Sequence, residues 1–270
     1  MKGLTEESIL SLESPLARVV EVHEAVASTQ DRARELARAG APRGTLVVAG
    51  VQTGGRGRLR RAWGSPEGGL WMSLVLRPDL EAAAAARVTQ TAAVAVAKAL
   101  RELGVNVGIK WPNDLLAEPG GRKICGILAE SSLRATEPDE APRVDHAILG
   151  VGLNANLDPE DLGVADREVA TLRSELGHDI DSLDLLSRIL RNLQAELERV
   201  HDFVVVLEDW RALSLTLGER VRVRRSGEIL EGRAVDLGPG GELLLQTAGG
   251  LVELYEGEVE RLRRDVGGRG

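Results

Sequence analysis

Gln52-Thr53-Gly54-Gly55-Arg56-Gly57-Arg58-Leu59-Arg60-Arg61-Ala62-Trp63-Gly64-Ser65-Pro66-Glu67-Gly68-Gly69-Leu70-Trp71 packs four arginines between two strand-like segments. Before it, Thr45 to Val51 is a short apolar run suited to a buried strand. After it, Leu70, Met72, Leu74 and Leu76 alternate with Trp71, Ser73 and Val75 in a strand that stops at Pro78. Gly54, Gly55 and Gly57 let backbone amides approach a ligand, and arginine forks grip phosphate or carboxylate at two points. A solvated turn with surface arginines has the same local composition. A dinucleotide fingerprint fits poorly, because Arg60 occupies the third glycine position and Trp63 to Pro66 do not open a helix. No G-x-x-x-x-G-K-[ST] occurs, which excludes a P-loop. A nucleotide bound here needs another fold.

Outward from this loop, Ser28-Thr29-Gln30-Asp31 predicts a helix start with Ser28 as N-cap; Ala33, Leu36 and Ala37 continue its apolar stripe until Gly40. Glu81 to Leu103 is alanine-rich, lacks Gly and Pro, and predicts a helix closed by Gly104. Val105 to Trp111, Leu115 to Ala117, Lys123 to Ser131 and Val144 to Leu153 read as strands, with a polar loop from Leu133 to Arg143. Ser182 to Val200 and Val204 to Leu213 read as helices. After Gly218 come short alternating strands at Val221 to Arg225, Ile229 to Asp236, Glu242 to Gln246 and Leu251 to Tyr255, joined by glycine-rich turns. These predict a small barrel. The expected division is 1–217, 218–264 and a flexible tail, 265–270.

Composition narrows the functional classes. The 270 residues carry a net charge of −8, with 43% hydrophobic and 28% charged residues, as in an ordinary globular protein. An acidic total argues against broad nucleic-acid or membrane-surface binding. No apolar run reaches the roughly 18 residues that span a bilayer. The lone Cys125 cannot form an intramolecular disulfide, so the cytoplasm is the expected compartment. His23, His146, His178 and His201 show no metal-ligand spacing, and no protein-held metal is expected. Only four of the 34 basic residues are lysines, and Lys110 and Lys123 both fall in the segments below.

Lys110-Trp111-Pro112-Asn113-Asp114 leaves a strand as a turn. Lys123-Ile124-Cys125-Gly126 opens a strand with a lysine, and Gly126 suggests a close approach. Cys125 reads as a small buried hydrophobe, since no histidine lies in a neighbouring motif. Gly150-Val151-Gly152-Leu153-Asn154-Ala155-Asn156 ends a strand with glycines and amides. Each segment alone has an ordinary structural reading. Together, Q-T-G-G-R-G-R-L-R-R-A-W-G-S-P-E-G-G-L-W-M-S, K-W-P-N-D-L-L, R-K-I-C-G-I-L-A-E and G-V-G-L-N-A-N resemble the biotin–protein ligase family in order and spacing.

The resemblance implies an α/β (α+β) fold, a mixed sheet with flanking helices related to class II aminoacyl-tRNA synthetases, followed by an SH3-like barrel. It also implies ATP and biotin as substrates, Mg²⁺, and a biotin carboxyl carrier domain as acceptor. Ser28, Thr29, Gln30, Gln52, Gly55, Arg56, Lys123 and Gly126 would hold biotin. Arg56, Arg58, Trp63, Lys110, Asn113, Asn154, Asn156 and, from a tail whose register is ambiguous, Arg263 would face the nucleotide. Lys123, Arg58 and Asp114 would carry the chemistry. One departure is Arg60, where the family often has glycine; a stiffer loop is expected, with Arg60 toward solvent. Fewer than 30 residues precede Ser28, so the expectation is a ligase without the DNA-binding domain of some members. Homodimerisation is left open. The alternatives are a lipoate–protein ligase of related fold and a non-catalytic nucleotide- or nucleic-acid-binding module.

Overall fold

A computed structural model describes residues 3–134, 137, 140–163, 169–225 and 227–262. The chain runs α1 (Glu6–Leu10), β1 (Val19–Val26), α2 (Thr29–Arg38), β2 (Thr45–Gln52), β3 (Leu70–Leu76) and α3 (Arg87–Glu102). It continues β4 (Val107–Lys110), β5 (Asp114–Ala117), β6 (Arg122–Arg134), β7 (Arg143–Leu153), α4 (Leu172–Leu176), α5 (Ser182–Glu198) and α6 (Phe203–Leu213). The last five strands are β8 (Arg220–Arg225), β9 (Glu228–Leu237), β10 (Leu243–Thr247), β11 (Gly250–Leu254) and β12 (Glu258–Arg261).

The first seven strands form one mixed sheet in the order β1-β2-β3-β7-β6-β5-β4. Only β1 and β2 pair in parallel, joined by α2; the other neighbours are antiparallel. Alternation along the strands separates two apolar layers. Val47, Val75 and Ile148 meet Ala33 and Ala37 of α2 on one face. Leu46, Val48, Leu74 and Leu149 turn to the other face and join the main core with α3, α5 and α6. Both faces of β3 are buried, so it reads as a continuous apolar run interrupted only by Ser73.

The C-terminal strands form an antiparallel sheet ordered β11-β10-β9-β8-β12. It packs on the larger unit: Val221, Val223, Ala234, Leu245 and Val259 belong to the main core cluster. Trp111 is 1% exposed and clamps the junction, with its indole Nε1 donating to Gly241 O at 3.1 Å.

Three local expectations differ from the structure. The alanine-rich segment is split into a short 3₁₀ turn, Ala82–Ala84, and a helix that begins at Arg87. Helix propensity acts equally along the run and names no start; Ala82 N instead donates to Pro142 O at 2.7 Å, tying this end to the β7 side. β1 lay hidden because an edge strand is mostly half-exposed and alternates weakly. β12 was hidden in the motif around Gly257, where four residues offer too short a pattern.

Candidate active site

A cleft of about 850 Å³ opens where the strand ends of the large sheet meet the glycine–arginine loop and β12. Its floor is glycine. Gly126 of β6 stands opposite Gly152 of β7, and Gly150 pairs with Leu128. A Cβ on Gly152 would come within 2.6 Å of Trp63 Nε1, and one on Gly126 within 3.2 Å of the same indole. The Trp63 ring therefore rests against both strands, at a distance that a side chain at Gly152 would prevent and one at Gly126 would crowd. A Cβ on Gly150 would meet Gln30 Oε1 at 2.6 Å. Trp63 Nε1 is buried and has no hydrogen-bond partner among the described residues.

One end of the cleft is neutral and polar. Ser28 caps α2, its hydroxyl accepting from Asp31 N at 3.4 Å. Gln52, at the end of β2, accepts from Thr29 N at 2.9 Å, stands 3.1 Å from Thr29 Oγ1 through the same oxygen, and donates to Ser65 Oγ at 2.9 Å. Ser73 Oγ lies 2.8 Å from Thr29 Oγ1 and donates to Gln30 Oε1 at 3.1 Å. Both amide donors of Gln30 are used, to Ile148 O at 3.0 Å and Glu130 Oε2 at 3.2 Å. Thr29 and Gln52 are the groups of this end best placed to meet a ligand, with Gln30 behind them. Ser73 was missed by sequence reading; a lone hydroxyl inside an apolar strand was the available signal.

The other end is cationic. Arg56, Arg58, Arg61, Lys110, Lys123 and Arg224 line it, against the carboxylates of Asp114, Glu258 and Glu260. This local excess of positive charge sits in a chain of net charge −8. Lys123 Nζ pairs with Asp114 Oδ1 at 2.6 Å and stands 4.9 Å from the Trp63 ring centroid. Arg58 donates to Asn113 Oδ1 at 3.4 Å and Gly257 O at 3.3 Å. Burial pulls the Arg58 guanidinium below its usual pKa, while the Asp114 charge opposes that shift. Arg61 is paired with Glu258, and Arg56 with Asp31. Asn113 is buried and donates to Ile127 O at 2.7 Å, which holds the Trp111–Asp114 turn against β6.

The loop backbone closes on itself through Gly57 N to Arg61 O at 2.8 Å and Trp63 N to Gly55 O at 2.9 Å. Gly55 faces Ser65 Oγ and Trp63 O rather than lining the cleft. Leu59 and Arg60 adopt φ of 54° and 57°, the left-handed region. A glycine would enter that region freely; a side chain there costs about 1 kcal/mol or more. The departure at Arg60 thus falls where the backbone asks for glycine, and its side chain is exposed as expected.

Asn154 and Asn156 do not line the cleft. Asn154 Nδ2 donates to Ala170 O at 3.0 Å, and Asn156 exchanges two hydrogen bonds with the Ile180 backbone. They pin the segment after β7 and, through Asn154 to Lys123 O at 3.4 Å, steady the strand carrying Lys123. Arg263 lies outside the described residues. Burial pushes the Cys125 thiol pKa up and leaves it inert. Arg224, Glu258 and Glu260 were missed, because nothing local in a distant sheet announces that it borders the cleft.

A cleft with a polar pocket and a cationic mouth on a mixed sheet suits a ligase, and the family comparisons return ligases. Residues 22–154 match the Biotin/lipoate A/B protein ligase family, and residues 216–262 match the Biotin protein ligase C terminal domain. The bifunctional ligase/repressor BirA of Bacillus subtilis is 38% identical over 243 residues, 88% of this chain and 72% of that one. The biotin–[acetyl-CoA-carboxylase] ligase of Paracoccus denitrificans is 33% identical, covering 79% of this chain and 88% of its own length. A solved biotin protein ligase from Aquifex aeolicus, in complex with biotin and ATP, superposes with a TM-score of 0.70 at 28% identity, over 91% of this chain and 99% of that one. The chain belongs to the biotin protein ligase family and is an ATP-dependent ligase.

Proposed function

We propose that the cleft performs both halves of a biotin transfer, with the residues acting as follows. The ureido ring of biotin sits at the neutral end, against Thr29 and Gln52 and near Ser28, with Arg56 at the adjoining loop. The biotin carboxylate reaches the cationic end, where ATP lies toward Lys110 and the β12 side. The carboxylate oxygen attacks the α-phosphorus, breaking its bond to the bridging oxygen; biotinyl-5'-AMP forms and pyrophosphate leaves. The neutral amine of an acceptor lysine then attacks the acyl carbon, its proton departs, and AMP leaves.

Carboxylate and triphosphate repel one another. Lys123, Arg58 and Arg56 offset that repulsion, and fixed charges of this kind stabilise the transition state without reorganising at the moment of reaction. Asp114 aims Lys123 through their 2.6 Å ion pair. The intermediate is vulnerable to water, and the glycine–arginine loop is placed to cover it. No group of three or more His, Cys, Asp or Glu among the described residues converges as a metal cage. Asp114 is the residue that would hold a Mg²⁺ here, whose charge would offset that of the nucleotide phosphates. The acceptor is a biotin carboxyl carrier domain, as the relatives named for acetyl-CoA carboxylase suggest. A cytoplasmic enzyme that does not bind DNA completes this reading, supported by the single unpaired cysteine and the acidic total charge.

The observation carrying the proposal is a hydrogen-bonding pocket and a cluster of cations sharing one cleft. It also favours biotin over lipoate, because a ureido ring can exchange hydrogen bonds with the amide and hydroxyls at the neutral end and a dithiolane ring cannot. The test is ATP–pyrophosphate exchange with biotin or lipoate, followed by transfer of label to a carrier domain. Exchange with biotin and then transfer is expected; exchange with lipoate alone would overturn the assignment.

A further inference from the structure

Lys123 and Arg61 are held by carboxylates within the cleft, whereas Arg56 is held by a group outside the lining that has no place in the reaction proposed above. Asp31 does not line the cleft, yet its Oδ1 receives both Arg56 of the loop and Arg34 of α2. Arg34 extends its other nitrogen to Glu130 Oε2, which also accepts from Gln30 Nε2 at 3.2 Å. Gln30 leads through the Ser73 and Thr29 hydroxyls to the Thr29 backbone N–H and Gln52 at the neutral end. An unbroken polar chain therefore runs from the ring-binding end of the cleft, round the start of α2, to the loop.

We infer that Asp31 is a positioning residue that holds Arg56 ready for an anionic substrate and, through Arg34, Glu130 and Gln30, couples the loop to occupancy of the neutral end. This rests on the proposed biotin site. Asp31 does not have to cap its own helix, since Ser28 already does so; its carboxylate is available to the loop. Burial opposes ionisation of Asp31, but the hydrogen bonds from Arg34 and Arg56 outweigh it and keep the carboxyl below the usual range.

The strength of the pair suits the role. The side chains of Arg56 and Asp31 are 41% and 35% exposed, so water screens them and an incoming carboxylate or phosphate can take Arg56 over. An unheld arginine would lose rotamer freedom at every binding event. The far end of the chain is stiffer. Gln30 and Ser73 are buried, and Gln30 has no spare donor. A ligand that draws the Ser73 hydroxyl away takes the donor from Gln30 Oε1, and that loss passes through the Gln30 amide to Glu130, Arg34 and Asp31.

The test uses the full chain with Asp31→Asn, Asp31→Glu, Glu130→Gln and the Asp31→Asn/Glu130→Gln double variant. Two readouts are taken: trypsin cleavage after Arg56 to Arg61 in the empty protein at low and high salt, and biotin KM and kcat in pyrophosphate exchange. We expect Asp31→Asn to be cut faster at low salt, with the wild type reaching the same rate only at high salt. Its biotin KM rises by up to about fivefold, the scale of one partly exposed ion pair, while kcat is nearly unchanged. Asp31→Glu restores most of both. Glu130→Gln moves both readouts in the same direction by less, and the double variant falls short of the summed effects because the residues share one network. Wild-type cleavage and KM in Asp31→Asn would overturn the inference. So would additive effects in the double variant, or a fall in kcat and thermal stability that Asp31→Glu does not rescue. A wild-type protein inactive with biotin would instead sink the ligase reading, leaving the trypsin result to judge the ion-pair chain by itself.

Discussion

In the floor of the cleft, Gly126, Gly150 and Gly152 lie in regular strands, and what matters is the space above them. In the loop, Gly54, Gly55 and Gly57 serve a folded-back backbone, while Leu59 and Arg60 accept the left-handed region without glycine's freedom. The floor is secured by apolar burial and antiparallel pairing to β7. The loop is secured by ion pairs to Asp31 and Glu258 and by weak hydrogen bonds from Arg58, all partly open to water. One region is fixed before a ligand arrives; the other is held by contacts that a ligand's own charge can replace. A site that must first admit two anions and then shield their product needs both.

That contrast can be broken most sharply at Lys123, which stands where the two regions meet. Lys123→Ala should lower biotin-dependent pyrophosphate exchange by about 10²- to 10³-fold, the usual size for a transition-state electrostatic contact. Thermal melting should stay close to the wild type; exchange near the wild-type rate would remove Lys123 from the chemistry. Next in size is Gly152→Ala, which forces the Trp63 indole off the floor. Overpacking of this kind costs about 1–3 kcal/mol, read as a lower urea midpoint, with weaker biotin binding and altered tryptophan emission. An unchanged spectrum and affinity would show that Trp63 does not rest there.

The loop should behave differently. Arg60→Gly relieves a left-handed side chain but adds freedom to the unfolded chain, so net stability should move by no more than about 1 kcal/mol. Hydrogen exchange in residues 56–61 should nevertheless quicken, and a large stability change would contradict the picture of a weakly held loop. The smallest effect concerns pH. Asp31 has a depressed pKa, so its hold on Arg56 is complete above the ordinary aspartate value and is lost as pH falls through the lower, folded value. Intrinsic-rate-corrected exchange protection of the loop should therefore be level from neutrality down to about pH 4 and drop below it. Asp31→Asn should shrink that drop to what the Arg61–Glu258 pair contributes; an undiminished drop in the variant would show that Asp31 is not the group responsible.

How much of this was legible beforehand depended on whether the signal was local. Ser28 as an N-cap, the strand at Leu70–Leu76 and the lysine opening β6 were each visible within a few residues, because capping and alternation act over that distance. Asn154 and Asn156 show the limit. Their type suited a ligand's polar edge, yet the structure bonds them to the Ala170 and Ile180 backbones, from residues 16 and 24 further along the chain.

The amino-acid order alone carried the ligase resemblance, through it the expectation of a mixed sheet, and the inventory of charged groups, since motif spacing is a property of neighbouring residues. Only the tertiary fold decided that Lys123 meets Asp114 and Trp63, that β12 brings Glu258 against Arg61, and that Asp31 reaches Arg56. Electrostatic partnership depends on distance through space, and these partners are brought together by the burial of apolar faces elsewhere in the chain.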